Sequence, residues 1–443
     1  MGILGTGIRS GVNLALIPLV LIKLSSAELA LWWVFVALGN FANLADFGFG
    51  STIPRVYNYL LAGAEDFEAE GLRIAASGAG PNFEGINRVN ASVRLLYLRV
   101  SLVAILLLAI GGTIFLAKPI AESGLGAKVW WIWGAFGISI GCNLAASHWL
   151  LAVQGLDRMR DLQLVYVLSG TTYAACAAAL LLFNFGLTSM VVATFAKVIV
   201  MRFRCRQIFN KVVPKPEVKS PADRHILAKL WPNAYKFGVI GVATYCLSNG
   251  IVLICSQFLG KDITASYGLT VQIGNFMISF ASLWLAVKWP QITMLRTQER
   301  LQEMAILFGR RLLLVVASFV VLATGLLLFG NALLAWKGTQ TRLLATPYLV
   351  LYLVYALLQI FYAQFGSLAF TENVVPFFKI GLVVGVGVIV TSLILTRLYG
   401  LWGLLCAPLL VESMYSWYVV RRGFQGQPLT PRQFAFAAVR GYV

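Results

Sequence analysis

Acidic residues and histidine are scarce in this chain. Its 443 residues hold 35 Lys and Arg against 17 Asp and Glu, and His148 and His225 are the two histidines. So few imidazoles exclude a His-based catalytic or metal cluster, and no metal site is expected. Charge of either sign is also rare, at 12% of residues, roughly half the share in a soluble domain. No Gly-x-x-x-x-Gly-Lys-Ser/Thr stretch occurs, which excludes nucleotide hydrolysis through a P-loop. Cysteine offers no framework either: Cys142, Cys176, Cys246, Cys255 and Cys406 lie in apolar segments and Cys205 in a basic one. Their spacing fits neither a disulfide scaffold nor a zinc site.

Apolar residues fill the chain instead, at 59% of the sequence with a mean hydropathy of +0.81. Runs of about 20 apolar residues, enough to cross a hydrocarbon layer of ~30 Å, recur from end to end. The fold class is therefore an all-α polytopic membrane protein. About twelve helices are predicted, over 5–23, 29–53, 94–116, 128–153, 163–183, 187–203, 237–258, 264–288, 311–330, 344–369, 377–396 and 401–420. The first is expected to be a retained helix rather than a signal peptide, because further spans follow at once.

Positive charge sets the orientation. Arg55, Arg73, Arg88, Arg158, Arg160, Lys288, Arg310, Arg311, Arg421 and Arg422 fall on one side, with few basic residues such as Lys118 and Lys261 on the other. By the positive-inside rule both termini are cytoplasmic. The net charge of +18 then follows from topology and from attraction to anionic lipid headgroups, not from nucleic-acid binding.

The two halves repeat. A shift of 235 residues lays Gly39-Asn40-Phe41 on Gly274-Asn275-Phe276 and Trp32 on Tyr267, and one inserted residue later Pro54 meets Pro290. Six helices per half predict parallel lobes related by a pseudo-two-fold axis along the membrane normal, with a central site between them. The predicted organisation is an N-terminal lobe over 1–205, a basic cytoplasmic linker over 206–235, a C-terminal lobe over 236–422 and a tail over 423–443.

Within the apolar run that starts at Trp32, Asn40, Asn43, Asp46 and Gly50 recur at steps of three or four and predict a polar stripe on one helix face. A carboxylate among lipid-facing residues is costly, so Asp46 is expected either to serve a bundle interior or to be a satisfied structural group. The second lobe has Ala281 at the matching position and Thr244 where the first has Arg9. Glu412 is a second intramembrane carboxylate. Either acid suits Na+ or H+ as a coupling ion, with a structural pairing as the alternative. Arg9, four residues before Asn13, together with Arg55, Lys236 and Lys288, places cations where a diphosphate could bind, Arg bidentately and Lys as a point charge. The alternative for each is an ordinary positive-inside anchor. Asn13, Asn40, Asn43 and Asn275 are candidates for a polar cavity wall.

The stretches Arg9-Ser10-Gly11-Val12-Asn13-Leu14, Leu44-Ala45-Asp46-Phe47-Gly48-Phe49-Gly50 with Pro54-Arg55, and Leu60-Leu61-Ala62-Gly63-Ala64 resemble the oligosaccharide flippase (O-antigen translocase) family. That family shares a superfamily with the multidrug and toxin extruders. The resemblance covers about the first hundred residues by motif and the rest by hydropathy and helix number. It implies a secondary transporter, not an enzyme, that moves an undecaprenyl-pyrophosphate-linked oligosaccharide to the periplasmic leaflet by alternating access. It also implies a monomer in the bacterial inner membrane, surrounded by membrane lipids, driven by an ion gradient without a bound cofactor. A polysaccharide polymerase and a chain-length regulator are its implied partners. A cation-coupled multidrug extruder on the same fold is the alternative, and a membrane enzyme of polysaccharide assembly a second one.

Overall fold

The computed structural model describes residues 16–64, 80–214, 223–336, 338–339, 341–370 and 378–425, and every regular element among them is helical. They are α1 (16–23), α2 (Ser26–Asn43), α3 (Phe49–Leu61), α4 (Phe83–Leu107), α5 (Thr113–Ser123), α6 (Lys128–Gly155), α7 (Met159–Leu182), α8 (Thr188–Val212), α9 (Arg224–Tyr245), α10 (Ile251–Phe258), α11 (Gly260–Ala286), α12 (Trp289–Thr297), α13 (Leu301–Trp336), α14 (Thr346–Phe370), α15 (Phe378–Tyr399) and α16 (Leu401–Gln425). Short π-helical turns at Leu108–Gly112 and Cys246–Gly250 join α4 to α5 and α9 to α10. Ten helical segments among the described residues are long and apolar enough to cross a membrane, so the chain is a multi-pass membrane protein. Of the remaining predicted spans, α1 is described only from residue 16, and α8 is diluted by Lys197, Arg202, Arg204, Arg206 and Lys211.

The chain divides into two compact units, Met1–Asn249 and Gly250–Val443. In the first, Ser25 opens α2 with a capping box: its hydroxyl accepts the Glu28 N–H while the Glu28 carboxylate accepts the Ser25 N–H at 3.0 Å. Glu28 also accepts the Leu187 N–H at 3.2 Å, tying the start of α2 to the start of α8. Next, α2 packs on α6, where Gly39 leaves room for Phe136 and Phe35 lies 4.9 Å from Trp133 between ring centroids. The α6–α4 contact is equally close, since Gly141 faces Ile105 and its carbonyl accepts from the Ser101 hydroxyl at 2.8 Å. In α4, Asn82 caps the first turn by accepting the Gly85 N–H at 2.8 Å.

Two sequence expectations change here. Helices α4, α8, α9 and α13 extend well past a predicted end of their spans, because hydropathy marks only the apolar part while backbone hydrogen bonding carries a helix on through polar sequence. For the same reason the predicted linker over 206–235 is largely helical among its described residues: α8 continues to Val212, and α9 starts at Arg224. Ile226, Leu230 and Ala234 of α9 then bury themselves with Ile53, Tyr57, Val89, Val93 and Phe209 in one core cluster. The first half of the seventh span thus packs as part of the first unit, which reaches Asn249.

In the second unit, α13 runs for 36 residues, about 54 Å at 1.5 Å per residue. That exceeds a bilayer of ~40–45 Å with its headgroups for a helix standing along the normal. One of its ends carries Arg310 and Arg311 and, at its base, a bidentate Arg300–Glu303 pair at 2.6 and 2.8 Å. Gly274 of α11 lies against the Tyr352 ring of α14, as Gly39 of α2 lies against Phe136 of α6. The two glycines are matched by the 235-residue shift (39 to 274), and each lets the second helix of its half approach the fourth. Finally α15 and α16 form a hairpin through Gly400 at φ 57°.

Candidate functional site

The polar stripe predicted on one continuous helix is interrupted. After Asn43 the chain tightens into a 3-10 turn, Leu44–Asp46, and then passes through Phe47 at φ 42° and Gly48 at φ 83° before α3 begins. Two consecutive left-handed residues end a helix, and Gly48 is where the sequence can adopt one without a Cβ clash. A Cβ there would also run into the backbone of Ala234 and Gly238 in α9. Asp46 sits just before the restart. Its Oδ2 accepts the Gly50 N–H at 2.9 Å, satisfying one of the unpaired donors at the N-terminus of α3. Its Oδ1 accepts from the hydroxyl of Tyr97, a residue of α4 that is only 1% exposed. The carboxylate therefore holds three elements together: the end of α2, the start of α3 and the middle of α4.

Around this turn the other candidates take separate places. The side chain of Asn40 donates to Asn249 Oδ1 at 2.9 Å, and Asn249 donates in turn to the Ser248 hydroxyl at 2.9 Å. Close by, the Tyr245 hydroxyl donates to the Ala37 carbonyl at 3.1 Å. Asn43 is half-buried and its side chain does not cap the turn that follows it. Arg55 is exposed and lies over the Phe237 ring, 5.6 Å from its centroid, a cation–π contact. Lys236 is the half-buried neighbour of that Phe237 on α9. Phe47 stacks on Trp231 at 5.7 Å, so the α3 entry and α9 share an aromatic seam. Arg55 is not bonded to Asp46. Arg9 and Asn13 lie outside the described residues.

The second unit holds Glu412 on α16, 1% exposed. The Tyr355 hydroxyl donates to its Oε1 at 2.6 Å, and Gln359, one turn along α14, donates to the same Tyr355 oxygen at 2.7 Å. Pro408 lies one turn before Glu412 and removes a backbone donor from α16. Lys288, at the junction of α11 and α12, donates to Gln291 at 3.0 Å. Asn275 is exposed on α11, where its carbonyl accepts from the Ser279 hydroxyl at 2.7 Å.

One motif occurs in both units: a carboxylate, half-buried in Asp46 and buried in Glu412, meets a buried tyrosine hydroxyl from another helix, and no ion pair reaches either acid among the described residues. Tyr97 and Tyr355 are the residues sequence reasoning missed. Each resembles any other tyrosine in an apolar run, and its partner lies 51 or 57 residues away. No group of acids, histidines and cysteines able to hold a metal occurs among the described residues.

No family model matches the chain, and no curated protein matches it. Solved structures do. The fold is similar to an inward-facing multidrug resistance MATE family transporter of the MOP superfamily, with a TM-score of 0.67 at 11% identity over 99% of this chain and 96% of that one. It is similar to the MATE multidrug transporter DinF-BH, with a TM-score of 0.60 at 14% identity over 98% and 94% of the two chains. A MOP superfamily transporter from Pyrococcus furiosus, described as having a binding pocket of reverse polarity that suggests a different function, matches at 0.57 and 13% identity over 99% and 95%. Such likeness extends over nearly the full length of each protein. The chain shares the all-helical, multi-pass membrane fold of these solved structures.

Proposed function

We propose that this chain is an ion-coupled secondary transporter working by alternating access, and that it moves an undecaprenyl-pyrophosphate-linked oligosaccharide from the cytoplasmic to the periplasmic leaflet. Transport is supported by the fold and, above all, by Glu412. An ionised carboxylate buried without a cation is expensive, and two neutral donors, Tyr355 and Gln359, offset only part of that cost. Such a group gains by taking up H+ or Na+ and releasing it when the surroundings open. Asp46 is the first unit's own candidate carboxylate, matched by the repeat to Ala281 and not to Glu412. In this reading both termini are cytoplasmic, the membrane is the bacterial inner membrane, and a polymerase and a chain-length regulator receive the product.

The substrate class rests on charge and on the family likeness of the first hundred residues. Arg9, Arg55, Lys236 and Lys288 form the proposed diphosphate-binding set, with Asn13, Asn40, Asn43 and Asn275 as sugar-facing amides. Arg55 supports this directly: its guanidinium is exposed, rests on an aromatic ring and has no carboxylate partner among the described residues. Multidrug extrusion is the second reading, and it is favoured by the names of the solved neighbours. A test in cells that lack their own flippase separates the two. Export of surface polysaccharide restored by the wild-type chain and lost with Arg55→Ala supports the flippase. Dye efflux without restored export supports the extruder.

A further inference from the structure

At the junction of α7 and α8 in the first unit a cavity of about 240 Å³ opens. Arg158 and Asp161 line it from the start of α7, and Arg204, Gln207 and Lys211 from the last turns of α8, over an apolar wall that includes Ile208. The spacing is helical: Arg204, Gln207 and Lys211 recur at three- and four-residue steps and so face one way. Arg204 gives one N–H to Gln207 at 3.3 Å, while among the described residues Arg158 and Lys211 have no side-chain hydrogen bond or ion pair. Three cations therefore converge on one hollow with a single carboxylate to balance them.

Its place in the fold selects the ligand. A short turn at 156–158 joins α6 to α7, so the start of α7 lies at a membrane–water boundary. Deeper along the same helices the surface turns apolar and open, with Leu164 58% exposed on α7 and Phe203 61% exposed on α8. A polar hollow with spare positive charge, continuous with an exposed apolar strip, matches a phospholipid: phosphate in the hollow, acyl chain along the strip. We propose that this cavity binds the phosphate of an anionic phospholipid headgroup, with phosphatidylglycerol as the fitting class. Arg158, Arg204 and Lys211 meet the phosphodiester, and Asp161 and Gln207 accept from the glycerol hydroxyls. A zwitterionic headgroup would leave the excess positive charge unbalanced. Its lining shares no residue with the proposed transport set, and the proposal does not depend on that reading.

The test uses the full-length protein in phosphatidylcholine nanodiscs, with phosphatidylglycerol introduced at rising mole fraction and bound lipid counted by native mass spectrometry. The expected result is saturable retention of phosphatidylglycerol, with the half-saturating fraction raised about fivefold for each charge removed in Arg158→Gln and Lys211→Gln. Arg310→Gln/Arg311→Gln, which removes the same charge from the other unit, should leave that fraction unchanged. Equal retention of phosphatidylcholine, or an equal loss in the control variant, would overturn the site. Inorganic phosphate and glycerol phosphate form a separate arm. If either displaces the lipid fully at millimolar concentration, the hollow is a soluble-phosphate site and the lipid assignment fails.

Discussion

Replacing Asp46 by alanine separates what this carboxylate does for the fold from what it does for transport. The substitution deletes the acceptor for the Gly50 N–H, which lies 2.9 Å away. Loss of an N-terminal cap of this kind costs about 1 kcal/mol. It also leaves the Tyr97 hydroxyl buried with no acceptor, which adds roughly 1–3 kcal/mol. The expected total is about 2–4 kcal/mol. Asp46→Asn keeps a carbonyl oxygen of nearly the same shape and should lose about 1 kcal/mol or less on the same scale. Tyr97→Phe removes the stranded hydroxyl, so Asp46→Ala/Tyr97→Phe should recover most of the cost of burying it, leaving about the 1 kcal/mol of the lost cap. Equilibrium unfolding in mixed micelles, followed by tryptophan fluorescence, measures all of these against wild type. Alanine and asparagine variants of equal stability would refute the capping and hydrogen-bond account, as would a double variant no better than Asp46→Ala. Transport measured on Asp46→Asn then completes the separation: a stable but inactive protein assigns the charge itself to coupling.

Gly48→Ala forces a side chain onto a residue at φ 83° and into contact with Phe237 at 2.8 Å; the backbone strain alone costs about 1–2 kcal/mol, and a stable, active Gly48→Ala protein in the same unfolding assay would contradict the turn. Tyr355→Phe removes a hydrogen bond of 2.6 Å to Glu412 and should cost about 1.5–3 kcal/mol if the acid is ionised, whereas an unchanged unfolding midpoint would show that the pair is not formed. Glu28→Ala breaks both the capping box and the bond to Leu187, with an expected loss of about 1–2 kcal/mol and faster amide exchange at the start of α8 as the specific readout.

The spans themselves were legible because about 20 apolar residues in a row leave few alternatives to a membrane helix. The repeat was legible too, and Gly39 and Gly274 show its physical basis: both are contact points at which a helix must come close to its neighbour. The break in the second span was present in the sequence but open to another reading. Asp46-Phe47-Gly48 supplies a capping acid and a residue free to adopt positive φ, yet the same letters also fit a helical stripe. Helix ends at Val212, Arg224 and Leu301 were not legible, since hydropathy is blind to a helix that continues through polar sequence. The tyrosine partners of Asp46 and Glu412 were not legible either. A hydrogen bond across 51 or 57 residues is set by tertiary packing, and local pattern carries no trace of it.

Ion-driven movement of substrate through Glu412 is the central claim, and reconstituted vesicles test it most directly. The protein is placed in proteoliposomes with a fluorescent undecaprenyl-pyrophosphate-linked oligosaccharide, and its transfer between leaflets is followed under an imposed H+ or Na+ gradient. Wild-type protein should accelerate transfer when the gradient is applied, and Glu412→Gln should transfer at the same rate with and without it. A Glu412→Gln protein that still responds fully to the gradient would contradict the account.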